Sequence, residues 1–167
     1  MKHLLLIGLD PGQNTGLAVY DPGAGRLLRC ETLSFWEAQA AFVGALVPVG
    51  DGGDVGLVVI EDARELPIYA RHRKQELTRE ARDRLCRGVG HVDRDTELWS
   101  EWLRLAGYRV QLVPPPRPSR FDPSRSRKWT AEDLERITGW TEPTSEHARD
   151  AARLVWRRTL HPQRETV

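Results

Sequence analysis

The sequence predicts a single α/β domain built on a five-stranded mixed sheet, with helices on both faces. Three observations carry this. Two short apolar runs, residues 4–9 and 55–60, each end in an acid and read as central strands buried on both faces. Turn signals divide the first third into an antiparallel meander. From Ser34 onward, helical stretches alternate with the remaining strands.

The first strand covers residues 3–10 and ends in Asp10-Pro11-Gly12. A turn over residues 11–14 leads to a second strand, 15–21. The dense turn Asp21-Pro22-Gly23-Ala24-Gly25 leads to a third, 26–33. Ser34 with Glu37 three residues on makes a capping box for a helix from Phe35 to about Leu46. Pro48 and the Gly/Asp cluster at 50–54 end that helix. Residues 55–61 form the fourth strand, and 62–70 a loop. Two helical stretches follow, 71–86 and 96–106, the second containing Trp99 and Trp102. Gly107 closes it, and 108–113 is the fifth strand. The Pro/Ser/Arg-rich segment 114–126 reads as an exposed loop. Thr130 with Asp133 caps a short helix, and Ser145 caps the last one, to about Arg158. The domain is expected to span residues 1–160, with a frayed tail over 161–167.

Composition narrows the function. The chain of 167 residues is 40% apolar and 29% charged, which fits a globular domain and not a disordered one. No apolar run approaches the roughly 20 residues of a membrane span. The opening apolar run, cut off by Asp10, is too short for a signal peptide. Two cysteines, Cys30 and Cys86, make neither a disulfide framework nor a zinc site, so a cytoplasmic location and no membrane contact are expected.

The net charge of +1 hides an asymmetry. Residues 1–60 carry three basic and six acidic side chains, whereas residues 61–128 carry sixteen and eleven. A local basic stripe is enough to bind nucleic acid despite a neutral average. Arg71, Arg73 and Lys74 open one basic cluster, which reads equally as a salt-bridged surface helix. Arg125, Arg127 and Lys128 form a second, in a segment with few acids, which favours phosphate contact. Trp129, beside Lys128, is the tryptophan placed for base stacking; the other five default to core.

Four side chains carry the chemistry. Asp10 and Glu61 end two strands that, if adjacent and parallel, place both acids at one sheet edge. His147 and Asp150, three apart, share one face of the last helix. Each has a plainer reading: Asp10 as a turn residue, His147 and Asp150 as part of a solvated face. Glu61 is harder to dismiss, because a carboxylate ending a central strand needs a partner. Together they form a carboxylate-rich cluster that a cation would neutralise, and hard oxygen donors suit Mg²⁺ or Mn²⁺.

The ordered set of motifs resembles the RuvC-type Holliday-junction resolvases of the RNase H-like superfamily. Gly8-Leu9-Asp10-Pro11-Gly12 with Thr15-Gly16-Leu17-Ala18-Val19 resembles that family's opening. Ile60-Glu61 resembles its second acidic strand, Arg87-Gly88-Val89-Gly90 its following helix, and residues 147–152 its C-terminal helix. The resemblance implies an RNase H-like fold, a homodimer and paired nicking of four-way DNA junctions. It implies two divalent ions per site, held by Asp10, Glu61, His147 and Asp150, and a DNA-contacting role for Lys128. Two features depart from the family pattern. The turn after Asp10 is one residue shorter, and Arg64 stands where many members place an aromatic, with Tyr69 as a possible substitute.

Alternatives stay open on the residues alone. They are an RNase H-fold nuclease for RNA or other branched DNA, and a junction-binding protein without catalysis. The Asp-Pro-Gly and Thr-Gly pair also resembles the first phosphate loop of actin-like ATPases. The chain is too short for the two duplicated domains of that fold, so no nucleotide cofactor is expected.

Overall fold

The computed structural model describes residues 4–42, 54–64, 78–115 and 128–158. Among these, five strands form one sheet in the order β3-β2-β1-β4-β5. They are β1 (Leu4–Asp10), β2 (Asn14–Asp21), β3 (Arg26–Ser34), β4 (Asp54–Glu61) and β5 (Val110–Val113). The meander β1–β3 is antiparallel, while β4 pairs in parallel with both β1 and β5. This is the five-stranded mixed sheet that the sequence predicts.

Side-chain alternation along the strands sorts residues between two cores. Leu5, Ile7 and Leu9 of β1 join Val58 and Ile60 of β4 on one face. There they pack under α1 (Phe35–Ala40) and α2 (Arg79–Leu105), which contribute Ala38, Trp99 and Leu103, together with Phe42 beyond α1. Leu6, Ala18, Tyr20 and Val59 face the other way, under α3 (Ala131–Thr138) and α4 (Glu146–Val155). By the same period of two, Gly8, Gly16, Asp10 and Glu61 fall on the α4 face.

The caps behave as their sequences predict. Ser34 and Glu37 close a capping box on α1, and Thr130 and Asp133 close one on α3. Each such cap stabilises its helix by about 1 kcal/mol. The α-helical part of α1 ends at Ala40 and helical backbone continues through Ala41 and Phe42; the expected end near Leu46 falls in residues 43–53, outside the described set.

The largest correction concerns α2. The sequence splits this region into stretches 71–86 and 96–106, whereas the structure has one helix of 27 residues, capped by Thr78. Gly88 and Gly90 look like breakers, yet both sit exposed, with open space where a Cβ would be. Two exposed glycines cost about 1 kcal/mol each against alanine. That is too little to interrupt a helix whose far end is fixed in the core by Trp99 and Leu103. The fifth strand is shorter than expected, and the last helix stops at Val155 rather than near Arg158. No helix among the described residues is long and apolar enough to cross a membrane.

Trp99 is the centre of the first core. It is fully buried, with ring centroids 4.9 Å from Phe35, 5.8 Å from Phe42 and 5.7 Å from Trp102. Trp99→Ala should lower the unfolding free energy by about 3–5 kcal/mol in a denaturant titration, as large-to-small aromatic changes do. Trp36 departs from the expectation of a core tryptophan: it is 74% exposed, its ring edge against Phe35.

Candidate active site

Asp10 and Glu61 arrive at one edge of the sheet because β1 and β4 run parallel in register. Leu9 lies opposite Ile60, so the next residue of each strand is the acid. Both strands point the same way, and both acids fall on the face covered by α4.

Helix α4 lies directly on that face. A Cβ built on Gly8 would come within 2.1 Å of the Ala151 carbonyl oxygen, and one on Gly16 within 2.0 Å of that of His147. No other residue type leaves room for the helix backbone at these two points. Two polar links add to the docking. Cys30 Sγ stands 3.4 Å from the Ala148 carbonyl oxygen, and the Thr32 and Ser145 hydroxyls are hydrogen bonded. The first turn of α4 thereby carries His147 to the end of β1.

The contacts follow from that docking. His147 Nδ1 is 2.9 Å from Asp10 Oδ2. Asp150, one turn on, is buried and faces the same cluster. Its Oδ2 is 3.1 Å from Lys128 Nζ, and its Oδ1 is 3.5 Å from Arg153 Nη1. Lys128 also binds Glu146.

The electrostatics show that the acids share one environment. Burial pushes the Glu61 carboxyl up to about 7, and the charges of Asp10 and Asp150 add to the shift. Burial also raises Asp10, against the hydrogen bond from His147, with Asp150 raising it further. Lys128 opposes both shifts. Burial works against the ammonium of Lys128 itself, but the Glu146 and Asp150 carboxylates overcome this and hold its pKa above the usual value. The site is thus a half-buried group of carboxylates with too little positive charge, and the sequence positions Asp10, Glu61, His147 and Asp150 are all part of it.

Oxygen donors from Asp10, Glu61 and Asp150, with the His147 imidazole beside them, fit a hard divalent cation. In the present arrangement, no three His, Cys, Asp or Glu side chains among the described residues enclose a common point. Lys128 is on Asp150 and His147 is on Asp10 instead.

Other sequence candidates fall differently. Arg71, Arg73, Lys74, Arg125 and Arg127 lie outside the described residues, as does Tyr69. Trp129 is half-buried against the second core, with the Arg153 guanidinium 6.0 Å above its ring, so its ring already has a packing partner. Arg64 is engaged as well. Its Nε and Nη2 are each 2.8 Å from an oxygen of Asp62, and Nη1 reaches Glu97 at 3.5 Å. This fork ties the segment after Glu61 to α2.

Arg149 was not singled out by sequence. Its Nε donates to the Trp129 carbonyl at 2.7 Å and its Nη1 to that of Thr144 at 2.7 Å. It fixes the backbone beside Lys128. An arginine inside the 147–152 motif was the available signal, but its partners are 20 and 5 residues away in the chain.

No family model matches the chain, and no curated protein matches it. Among solved structures, it is similar to T. thermophilus RuvC in complex with Holliday junction substrate. The identity is 18% and the TM-score 0.49, over 92% of this chain and 91% of that one.

Proposed function

We propose that this protein is a metal-dependent endonuclease that hydrolyses phosphodiesters at four-way DNA junctions, in the manner of the RuvC-type resolvases its motifs resemble. One observation carries the reading. Acids from β1, β4 and α4 meet with an imidazole in one half-buried cluster, where Asp10 and Glu61 are both harder to ionise than in water.

In this reading Asp10, Glu61 and Asp150 hold Mg²⁺ or Mn²⁺. Two such ions supply an activated water and charge stabilisation at the leaving oxygen. His147 keeps Nδ1 toward Asp10, which orients that carboxylate and leaves Nε2 as the ring position that can carry a proton. Each chain offers one such cluster, so paired nicks across a symmetric junction call for two copies, related by a twofold axis. Arg71, Arg73, Lys74, Arg125, Arg127 and Lys128 are the proposed backbone contacts.

The test is a panel of labelled substrates: four-way junction, duplex, flap and RNA–DNA hybrid, each with Mg²⁺, Mn²⁺ or EDTA. Cleavage of the junction in either metal and none in EDTA is the expected result. Preferential cleavage of the hybrid would reassign the substrate, and binding without cleavage in any metal would leave a junction-binding protein.

The basic segment has its own readout. Replacing Arg125 and Arg127 by alanine should weaken junction binding and flatten the plot of log affinity against log salt by about 2, near 0.9 per lost phosphate contact. An unchanged slope in fluorescence anisotropy removes these two residues from the interface.

A further inference from the structure

The acidic cluster contains a cation of its own. Lys128, on the segment leading into α3, reaches across to α4, where it binds Glu146 and stands 3.1 Å from Asp150 Oδ2. Its charge also acts on Asp10 and Glu61. The two partners differ in freedom. The Lys128 side chain is 62% exposed, that of Asp150 only 10%. The backbone beside Lys128 is fixed, since the Trp129 carbonyl accepts from Arg149 and the Trp129 ring lies under Arg153. Lys128 is therefore an exposed ammonium on a fixed mount.

A divalent ion and this ammonium compete for the same carboxylate. Like charges a few ångströms apart repel strongly in a half-buried site, and a divalent ion doubles the charge on one side. Lys128 and Arg153 are the cations paired with Asp150, and a divalent ion drawing on Asp150 has to displace the more exposed of them.

We propose that Lys128 is a resident counter-cation that competes with the divalent ion for Asp150, so that the site loads only as the ammonium swings away. In the cation-free protein it offsets the repulsion among Asp10, Glu61 and Asp150. Its exposed stem lets it leave without disturbing either core. This inference rests on the reading of the cluster as a cation site.

The test is Mn²⁺ binding to the DNA-free protein, followed by calorimetry and by the electron paramagnetic resonance of free Mn²⁺. Lys128→Met should bind Mn²⁺ at least about tenfold more tightly than the unaltered protein, a shift of about 1.4 kcal/mol. Lys128→Arg keeps the charge and should not tighten binding. Arg136→Gln removes a comparably exposed positive charge that pairs with Asp133 on α3, and should change the affinity by less than about threefold. Equal tightening by Arg136→Gln would reduce the effect to net charge and overturn the proposal. Binding by the unaltered protein that Lys128→Met leaves unchanged or weakens overturns the competition and leaves the cation site standing. Failure of both proteins to bind Mn²⁺ removes the competition and the cation site together.

Discussion

Asp10→Asn and Glu61→Gln should each lower junction cleavage by at least about a thousandfold while leaving junction binding within about threefold. The size follows from the role proposed for these side chains. A lost carboxylate ligand costs several kcal/mol of charge stabilisation, and about 4 kcal/mol is a thousandfold in rate. Binding survives because neither residue contributes positive charge. The amides keep the shape of the acids, so the sheet edge stays intact. A stability measurement separates the chemistry from the fold. The folded Glu61 carboxyl titrates near 7, above its ordinary value of 4.5, so ionising it costs the folded state. That cost is absent below about pH 4, where the group is protonated in both states, and grows as pH rises to about 7. Glu61→Gln should therefore melt higher than the unaltered protein at pH 8 without divalent ions, and at the same temperature near pH 4. Undiminished cleavage by both variants would remove the proposed chemistry.

The parts of this picture that local sequence encodes were legible. Strands β1 and β4 announce themselves because a strand buried on both faces has to be apolar along its whole length, and each ends at an acid. The caps at Ser34 and Thr130 are readable because a capping box is complete within four residues. Helix α2 was misread for a related reason. Residues 87–95 hold few apolar side chains to mark a helical face, and what makes the helix continuous is its anchorage in the core further along, at Trp99 and Leu103. The cluster was legible residue by residue, since Asp10, Glu61, His147 and Asp150 each stand out by position. Its charge balance was not. Lys128 meets Asp150 from a segment whose backbone Arg149 holds at the Trp129 carbonyl, contacts no spacing rule anticipates. The packing of Trp129 was no more legible: its neighbour Lys128 suggests nucleic acid, and sequence gives no sign that Arg153, 24 residues on, lies over its ring.

Gly16→Ala should be as damaging to cleavage as many changes at the cluster itself, although Gly16 has no side chain to offer it. The added Cβ would sit 2.0 Å from the His147 carbonyl oxygen, 2.4 Å from its carbon and 3.1 Å from the Ala148 nitrogen. All three are backbone atoms of the first turn of α4, so no side chain can swing aside. Either the helix lifts off the sheet by about 1 Å or more, or β2 retreats from it. Overpacking of this kind costs about 3 kcal/mol or more, and a shift of about 1 Å in a reacting group costs on the order of a hundredfold in rate. The expected variant is folded but melts lower, binds junction DNA, and cleaves it about a hundredfold more slowly. Gly8→Ala pushes on the same helix one turn later, against Ala151, and should destabilise similarly. Cleavage should fall as well, because that contact displaces the residue directly after Asp150. Gly88→Ala, on the open face of α2, is the control, and should leave cleavage unchanged and stability equal or slightly raised. If Gly16→Ala cleaved normally at a temperature where it is folded, the close seat of α4 on β2 would not be what brings His147 to Asp10.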